Sequence, residues 1–333
     1  AARLGPDVPL ELVPSPARPN DARRNLPRIY SLLRRLRPDA LVTSNWGSIE
    51  WAVAGLLPPG IPHLHTEDGF GPDESAGQKP RRVLARRLVL RRSTVILPSE
   101  LLLRAATDLW RLPARNLRHI PNGLNLRRFC PTGPVQDLAV PGEGPLIGTV
   151  AALRAEKNIG RLLRAVALLR QGDVPLRLAV LGDGEERPHL EKLTAELGIT
   201  DCVRFLGAVP DPAAAYRAMD VFALSSDTEQ MPFSVLEAMA TGLPVASTDV
   251  GDLRAMLGTE GLPYLAPPMP GREGDAALAA ALRPLLRDAD LRVRLGGANR
   301  ARAERHYDEE TMFAAFAELL DRAASPGKGA TPA

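Results

Sequence analysis

The chain is 333 residues long, 45% hydrophobic, 24% charged and 4% aromatic, a composition that can bury two separate cores and excludes disordered, collagenous and small disulfide-rich classes. Its two cysteines, Cys130 and Cys202, have no C-x-x-C spacing, so neither a disulfide framework nor a cysteine zinc site is expected, and a reducing, cytoplasmic setting fits. The net charge of +3 hides an asymmetry, because residues 1–130 carry 21 Lys and Arg against 11 Asp and Glu while residues 131–333 carry 21 against 28; the basic half predicts an anionic partner, but without interleaved aromatics not a nucleic acid.

The proline-rich opening run, AARLGPDVPLELVPSPARPN, has neither an initiator methionine nor a signal-peptide pattern. No apolar run approaches the ~18 residues of a membrane span. Short apolar runs then alternate with segments of helical period, which predicts βα units and parallel sheets. In the first half, strands are expected at 40–44 (ALVTS), 62–65 (PHLH), 94–98 (TVILP) and 118–120 (RHI). Between the second and third lies QKPRRVLARRLVLRR, residues 78–92, where Arg81, Arg82, Arg86, Arg87, Arg91 and Arg92 surround Val83, Leu84, Leu88 and Leu90. One reading is a helix with its apolar residues in the core and a solvated basic face. The other lays that face on anionic lipid headgroups, at about 1 kcal/mol per basic residue.

Proline and glycine cluster at 131–145, where the charge balance changes sign, and a linker is expected there. The second half predicts strands at 145–151, 176–181, 202–207, 221–224, 244–248 and 263–266. After the first of these, Ile159, Leu162, Leu163, Val166 and Leu169 share one helical face. Asp288 and Asp290 form a D-x-D before LRVRLGG, which reads as a helix cap and first-turn charge rather than a metal site. GDGE at 182–185 reads as a strand-to-helix turn without a dinucleotide fingerprint. No repeat of twenty to fifty residues is evident. The expected organisation is a first domain at 1–130, a linker at 131–145, a second domain at 146–305, and at 306–333 a helix returning towards the first domain followed by a low-complexity, disordered tail.

Ligands of doubly wound sheets bind beyond the carboxyl ends of the strands. The most informative loop there is SSDTEQMPFSVLEAMATGLPVASTDVGD, in which Glu229 precedes Pro232, a residue suited to a first helical turn, and Glu237 follows within the helix. A helix start of this kind seats a phosphate on free N–H groups. Glutamates beside it fit if they accept hydrogen bonds from hydroxyls on either side of a diphosphate. A second loop, ALRAEKN, offers Arg154 and Lys157 to the same anion.

HIPNGLNLRRF at 119–129, GTVAALRAEKN, LGDGEERPHLEKLTAELGITDCVRFLGAV at 181–209 and TEQMPFSVLEAMATGLPV, taken in this order, resemble the retaining glycosyltransferases of family 4 (glycosyl transferases group 1). The resemblance runs from about residue 40 onward. It implies an α/β chain of GT-B fold, two facing Rossmann-like doubly wound domains, and a metal-independent hexosyltransferase of polysaccharide biosynthesis that retains anomeric configuration. It implies no cofactor beyond its donor substrate, a nucleoside-diphosphate sugar held by the second domain, and a glycan or lipid-linked acceptor held by the first. A cytoplasmic enzyme, peripheral on the inner face of the membrane, follows from such an acceptor. Residue by residue, the resemblance implies that Glu229 contacts the sugar hydroxyls, Glu237 the ribose diol and Lys157 the diphosphate. Backbone groups of Met231, Phe233 and Ser234 assist at the helix start, Val209 lies near the base, and His65 matches a histidine beside the reacting carbon.

Three departures accompany it. Ala152 stands where the family commonly has an arginine, leaving Arg154 to substitute, and Gln230 replaces a glycine. No opening strand, glycine loop and helix is recognisable before ALVTS, so the first domain is expected to lack that unit, at a loss to sugar transfer greater than to donor binding. The missing opening unit and Ala152 also permit the alternative of a catalytically silent, nucleotide-sugar-binding or regulatory protein of the same shape.

Overall fold

Apolar runs that alternate with amphipathic helices build two parallel sheets in this chain, of which a computed structural model describes residues 9, 11–18, 21–70, 74 and 77–325. The expected tail lies outside the described residues from 326 onward. The chain divides into two units, one of residues 1–96, 106–118 and 319–333, the other of 97–105 and 119–318.

In the first unit, α1 (Ala22–Leu36) leads to β1 (Leu41–Ser44), α2 (Ile49–Gly55), β2 (His63–Thr66), α3 (Pro80–Val89) and β3 (Thr94–Leu97); after α4 (Glu100–Arg104), grouped with the second unit, comes β4 (Leu117–His119). All four strands therefore fall where the apolar runs place them. The sheet order is β1-β2-β3-β4, with β1 at one edge. Ile29 and Leu33 of α1 pack with Leu41 and Ala54, so the helical stripe and the strand share one core.

The structure corrects the expected face of α3. Arg86 is 1% exposed, its Nε is 3.0 Å from Glu67 Oε2 and its Nη2 is 3.5 Å from Glu74 Oε2. The guanidinium lies over Trp46, Phe70 and Trp110, at 5.3, 5.3 and 5.1 Å from their ring centroids. Arg82 also turns inward, to Glu74 at 2.8 Å. A buried guanidinium is tolerable only with carboxylates and π faces around it. The outer face instead carries Leu84 and Leu88, 56% and 65% exposed, which had been expected in the core, with Arg81, Arg91 and Arg92 exposed nearby.

The second unit runs β5 (Leu146–Val150), α5 (Ile159–Gln171), β6 (Arg177–Leu181), α6 (Arg187–Glu196), β7 (Val203–Gly207), α7 (Ala213–Tyr216), β8 (Val221–Leu224), α8 (Phe233–Ala240), β9 (Val245–Thr248), α9 (Leu253–Gly261), β10 (Leu265–Ala266), α10 (Gly271–Arg287) and α11 (Ala289–His306). α12 (Glu309–Ala324) follows and passes into the first unit's share of the chain at Leu319. Segment 131–145, expected as a linker, has no helix or strand and is fastened to the second unit. Leu138 and Val140 are buried in that unit's core, and the Gln136 N–H donates to Ala214 O at 3.0 Å. Asp288 caps α11 as expected, its Oδ1 accepting from Leu291 N at 2.9 Å.

The sheet order is β10-β9-β8-β5-β6-β7, all parallel. Winding proceeds outward in both directions from the β5–β8 pair, where Ile147 faces Val221 and Gly148 faces Phe222. Ligands of such sheets usually bind beyond the strand ends at a reversal of this kind, where the loops beyond β5 and β8 lie. β8 and β9 are buried along their whole length, in keeping with their unbroken apolar or small-residue sequences.

Candidate active site

The loop beyond β5 holds Ala152, Arg154 and, in a 3-10 turn spanning Ala155–Lys157, the predicted Lys157. Gly182, at the end of β6, shapes this loop from beneath. Its φ is +135°, and a Cβ there would lie 1.8 Å from Ala151 O, so only glycine allows the two backbones to approach. Asn158 then adopts a left-handed conformation and caps α5, its Oδ1 accepting from Arg161 N at 3.1 Å. Its Nδ2 donates to Asp227 Oδ1 at 3.0 Å, tying this loop to the one beyond β8. Asp227 N donates to Glu156 O at 2.9 Å and Ser225 Oγ to Lys157 O at 3.1 Å, closing the seam. Arg161, 3% exposed, braces it from below through Ser225 O at 2.8 Å and Asp227 Oδ1 at 2.8 Å.

Across this seam the Lys157 ammonium is 2.6 Å from Glu229 Oε1. The same oxygen accepts from Ser226 Oγ at 2.7 Å. Gly251, at φ +58°, lets the chain turn against the Glu229–Gln230 backbone, where a Cβ would meet Gln230 O at 2.5 Å. Asp252 N completes that contact by donating to Gln230 O at 2.9 Å. Arg154, offered as a second anion ligand, is 54% exposed and 3.5 Å from Glu156.

α8 begins one residue later than Pro232, which is its N-cap. The N–H groups of Phe233 and Ser234 have no acceptor among the described residues, so they and the helix dipole can receive an anion. Met231 is buried at 7% exposure, whereas Phe233 is 50% exposed. Glu237 lies one turn further on, half-buried, with Oε2 accepting from Tyr216 Oη at 2.7 Å. Burial raises its carboxyl above the usual range, opposed by that hydrogen bond and by Arg128. Val209, beyond β7 and two strands from β5, is half-buried against the same core.

His65 belongs to the first unit and is apart from this constellation in the chain's division. Its ring is wholly buried, with Nδ1 2.7 Å from Thr43 Oγ1 and Nε2 3.5 Å from Glu67 Oε2. Thr43 also meets His63 Nε2 at 2.8 Å, and His63 Nδ1 meets Ser93 Oγ at 2.6 Å. Burial, with His65 adding, lowers the His63 pKa to about 4. The expected catalytic histidine thus has both nitrogens engaged inside the protein.

The structure brings together Lys157, Glu229, the α8 start and Glu237. Sequence reasoning missed Ser226, Asp227, Asn158, Arg161 and Tyr216. Asn158 alone had a local signal, as a capping residue directly before an apolar helical run. Among the described residues no group of three or more His, Cys, Asp or Glu is arranged to hold a metal ion.

Residues 144–288 match the family described as Glycosyl transferases group 1, and residues 1–128 match Glycosyltransferase Family 4. D-inositol 3-phosphate glycosyltransferase of Frankia alni is 31% identical over 289 residues, 80% of this chain and 70% of that protein. The same-named protein of Corynebacterium urealyticum is 37% identical over 185 residues, 52% of this chain and 42% of its own length. This chain spans between 42% and 64% of the length of that relative and two others like it. Among solved structures, HepE of Anabaena in complex with UDP superposes with a TM-score of 0.76 at 20% identity, covering 90% of this chain and 82% of that one.

Proposed function

The chain belongs to the family 4 glycosyltransferases, and we propose that it moves a hexosyl group, with retention, from a nucleoside-diphosphate sugar to a hydroxyl of a glycan or lipid-linked acceptor. The observation that carries this reading is the meeting of Lys157, Glu229 and the open N-terminus of α8 at the β5–β8 reversal. A diphosphate on that helix start draws on the Lys157 ammonium and the Phe233 and Ser234 N–H groups. Glu229 then accepts from sugar hydroxyls and Glu237 from the ribose diol, with Val209 near the base. UDP in a relative of like fold makes uridine nucleotides the first donors to try.

In the reaction, the bond from the anomeric carbon to the diphosphate oxygen breaks as the acceptor oxygen bonds to that carbon on the same face. The acceptor proton passes to the departing phosphate. Lys157 and the helix start stabilise the charge growing on the leaving group, and this difference between ground and transition states lowers the barrier. The first unit binds the acceptor. His65 is held by Thr43 and Glu67 at β2 and is given no step in this scheme.

We place the protein on the cytoplasmic face of a membrane through the outer side of α3. Leu84 and Leu88 enter the headgroup layer while Arg81, Arg91 and Arg92 meet anionic lipid, a set that replaces the six-arginine face. Among the described residues no helix is long and apolar enough to cross a membrane. Flotation with phosphatidylglycerol vesicles should recover the protein, and Leu84→Ser with Leu88→Ser should release it; equal flotation of both overturns the placement.

The activity test screens UDP-, GDP- and ADP-hexoses by thermal shift and by donor hydrolysis. One donor should raise the melting temperature and be slowly hydrolysed. Binding of donors with neither hydrolysis nor transfer to any acceptor would favour a silent nucleotide-sugar binder.

A further inference from the structure

Tyr216 ends the short helix α7 and is wholly buried, its ring packed edge-on to Phe129 at 6.0 Å and tilted against Phe222 at 5.7 Å between centroids. Its hydroxyl has one proton and two acceptors within reach, Glu237 Oε2 at 2.7 Å and Ser234 O at 3.2 Å. The shorter contact to the charged oxygen takes the proton. Burial, with the charge of Glu237 adding, holds the phenol well above its usual pKa, so it remains a donor throughout the working pH range.

Glu237 needs such a fixture. Its terminal torsion is a broad two-fold well rather than a sharp rotamer, and Oε1 has no hydrogen-bond partner among the described residues. A carboxylate that is to accept two ribose hydroxyls must present a fixed plane. It must also stay charged, although burial opposes the charge. Besides Tyr216, the charged groups that bear on it are Arg128, which favours the anion, and Asp211, which disfavours it and is itself 3.0 Å from Arg128.

We propose that Tyr216 is a positioning residue for the donor, its buried hydroxyl setting the plane and charge of the Glu237 carboxylate and thereby the recognition of the ribose diol. This rests on the reading that Glu237 binds the ribose. Tyr216 touches neither substrate nor reacting atoms, and its effect is confined to nucleotide affinity.

The test compares UDP, GDP and ADP with their 2′,3′-dideoxy counterparts by calorimetry, on the wild type, Tyr216→Phe and Glu237→Ala. Glu237→Ala should collapse the preference for the ribose form to near one. Tyr216→Phe should reduce that preference about tenfold, the loss of a hydrogen bond to a charged group, while dideoxy affinity stays within about twofold. The fall of ribose-form affinity on acidification should begin at higher pH in Tyr216→Phe, because removing the donor raises the Glu237 pKa further. A merely structural loss would weaken both nucleotide forms alike and leave the pH profile in place. Biosynthetic 3-fluorotyrosine keeps the core volume and strengthens the donor; it should raise the preference, which keeps the question open to refutation should the Phe variant fold badly. An unchanged preference in Tyr216→Phe beside a collapsed one in Glu237→Ala overturns the positioning role. An unchanged preference in Glu237→Ala overturns the ribose reading beneath it.

Discussion

Replacing Glu229 by Gln should tighten the binding of a nucleoside diphosphate while it cripples transfer. Any diphosphate that draws on Lys157 competes for an ammonium already 2.6 Å from Glu229 Oε1. The Gln amide oxygen can still accept from Lys157, but as a neutral partner. The Lys157–Gln bond keeps its charged donor and loses only the ion-pair attraction, about 0.2–1 kcal/mol for a partly exposed pair, so up to roughly 1 kcal/mol of competition is removed. The side chains are 22% and 10% exposed, which leaves most of that difference unscreened. UDP should therefore bind up to about fivefold more tightly to Glu229→Gln, at about 1.4 kcal/mol per factor of ten. Turnover should fall about ten- to a hundredfold, since an amide cannot accept from sugar hydroxyls as a carboxylate does. Calorimetry with UDP, GDP and ADP supplies the first quantity and donor turnover the second. Raising the salt to about 0.5 M should shrink the binding gain. Weaker UDP binding in Glu229→Gln would refute the competition argument, because it would mean that the carboxylate helps to seat the diphosphate.

Lys157→Ala should lower turnover or donor affinity by about ten- to a hundredfold, and near-normal kinetics would remove Lys157 from the site. Gly182→Ala places a Cβ 1.8 Å from Ala151 O; chemical denaturation should show a loss of at least about 2 kcal/mol together with weaker UDP binding. His63 has a folded pKa of about 4 against 6.5 unfolded, so it favours folding fully above pH 6.5, and about 3 kcal/mol of that is lost as pH falls to 4. Trp46, Trp51 and Trp110, all in the first unit, report that loss by fluorescence, and His63→Gln should flatten it. Turnover should be unaffected by EDTA, and loss with recovery on magnesium or manganese would count against a leaving group stabilised by Lys157 and the α8 start alone.

The sheets were legible because each strand is a short apolar run between turn residues. The ten strands fall within the expected runs or shifted by one residue, and the main difference is physical. PYLA was expected as a strand from Pro263, yet Leu262–Tyr264 form a 3-10 turn and only Leu265–Ala266 pair with β9, as a proline without an N–H favours. The face of α3 was not legible. Helical period tells which residues share a side, but not which side the rest of the fold covers. The carboxylates that draw Arg86 inward come from Glu67 and Glu74, and the rings from Trp46, Phe70 and Trp110, on separate segments that only tertiary structure joins. Segment 131–145 misled for the opposite reason. Its proline and glycine content forbids regular structure but not burial, and Leu138 and Val140 are enough to anchor it. In the candidate site, Lys157 and the two glutamates were visible as motif residues, whereas Tyr216 sits in a plain alanine-rich stretch and meets Glu237 only through the packing of α7 against α8.

Two glutamates near a phosphate seat are an electrostatic puzzle, since a helix N-terminus attracts anions and a carboxylate there repels them. The geometry answers it separately for each. Glu229 has its charge taken up by the Lys157 ammonium and the Ser226 hydroxyl on a single oxygen, which leaves Oε2 without an internal partner among the described residues. Glu237 is bonded to Tyr216 and lies a turn along α8, beyond the Phe233 and Ser234 N–H groups at its start. Each carboxylate thus has one oxygen fixed by the protein and one available to a hydroxyl, and neither stands as an unpaired charge at the helix start. In the proposed donor complex the anion meets the helix field and the ammonium, while hydroxyls on either side meet the free carboxylate oxygens. A diphosphate flanked by two polyols satisfies that pattern of one anion seat between two acceptors, whereas a simple phosphate ester or a lone sugar would fill only part of it.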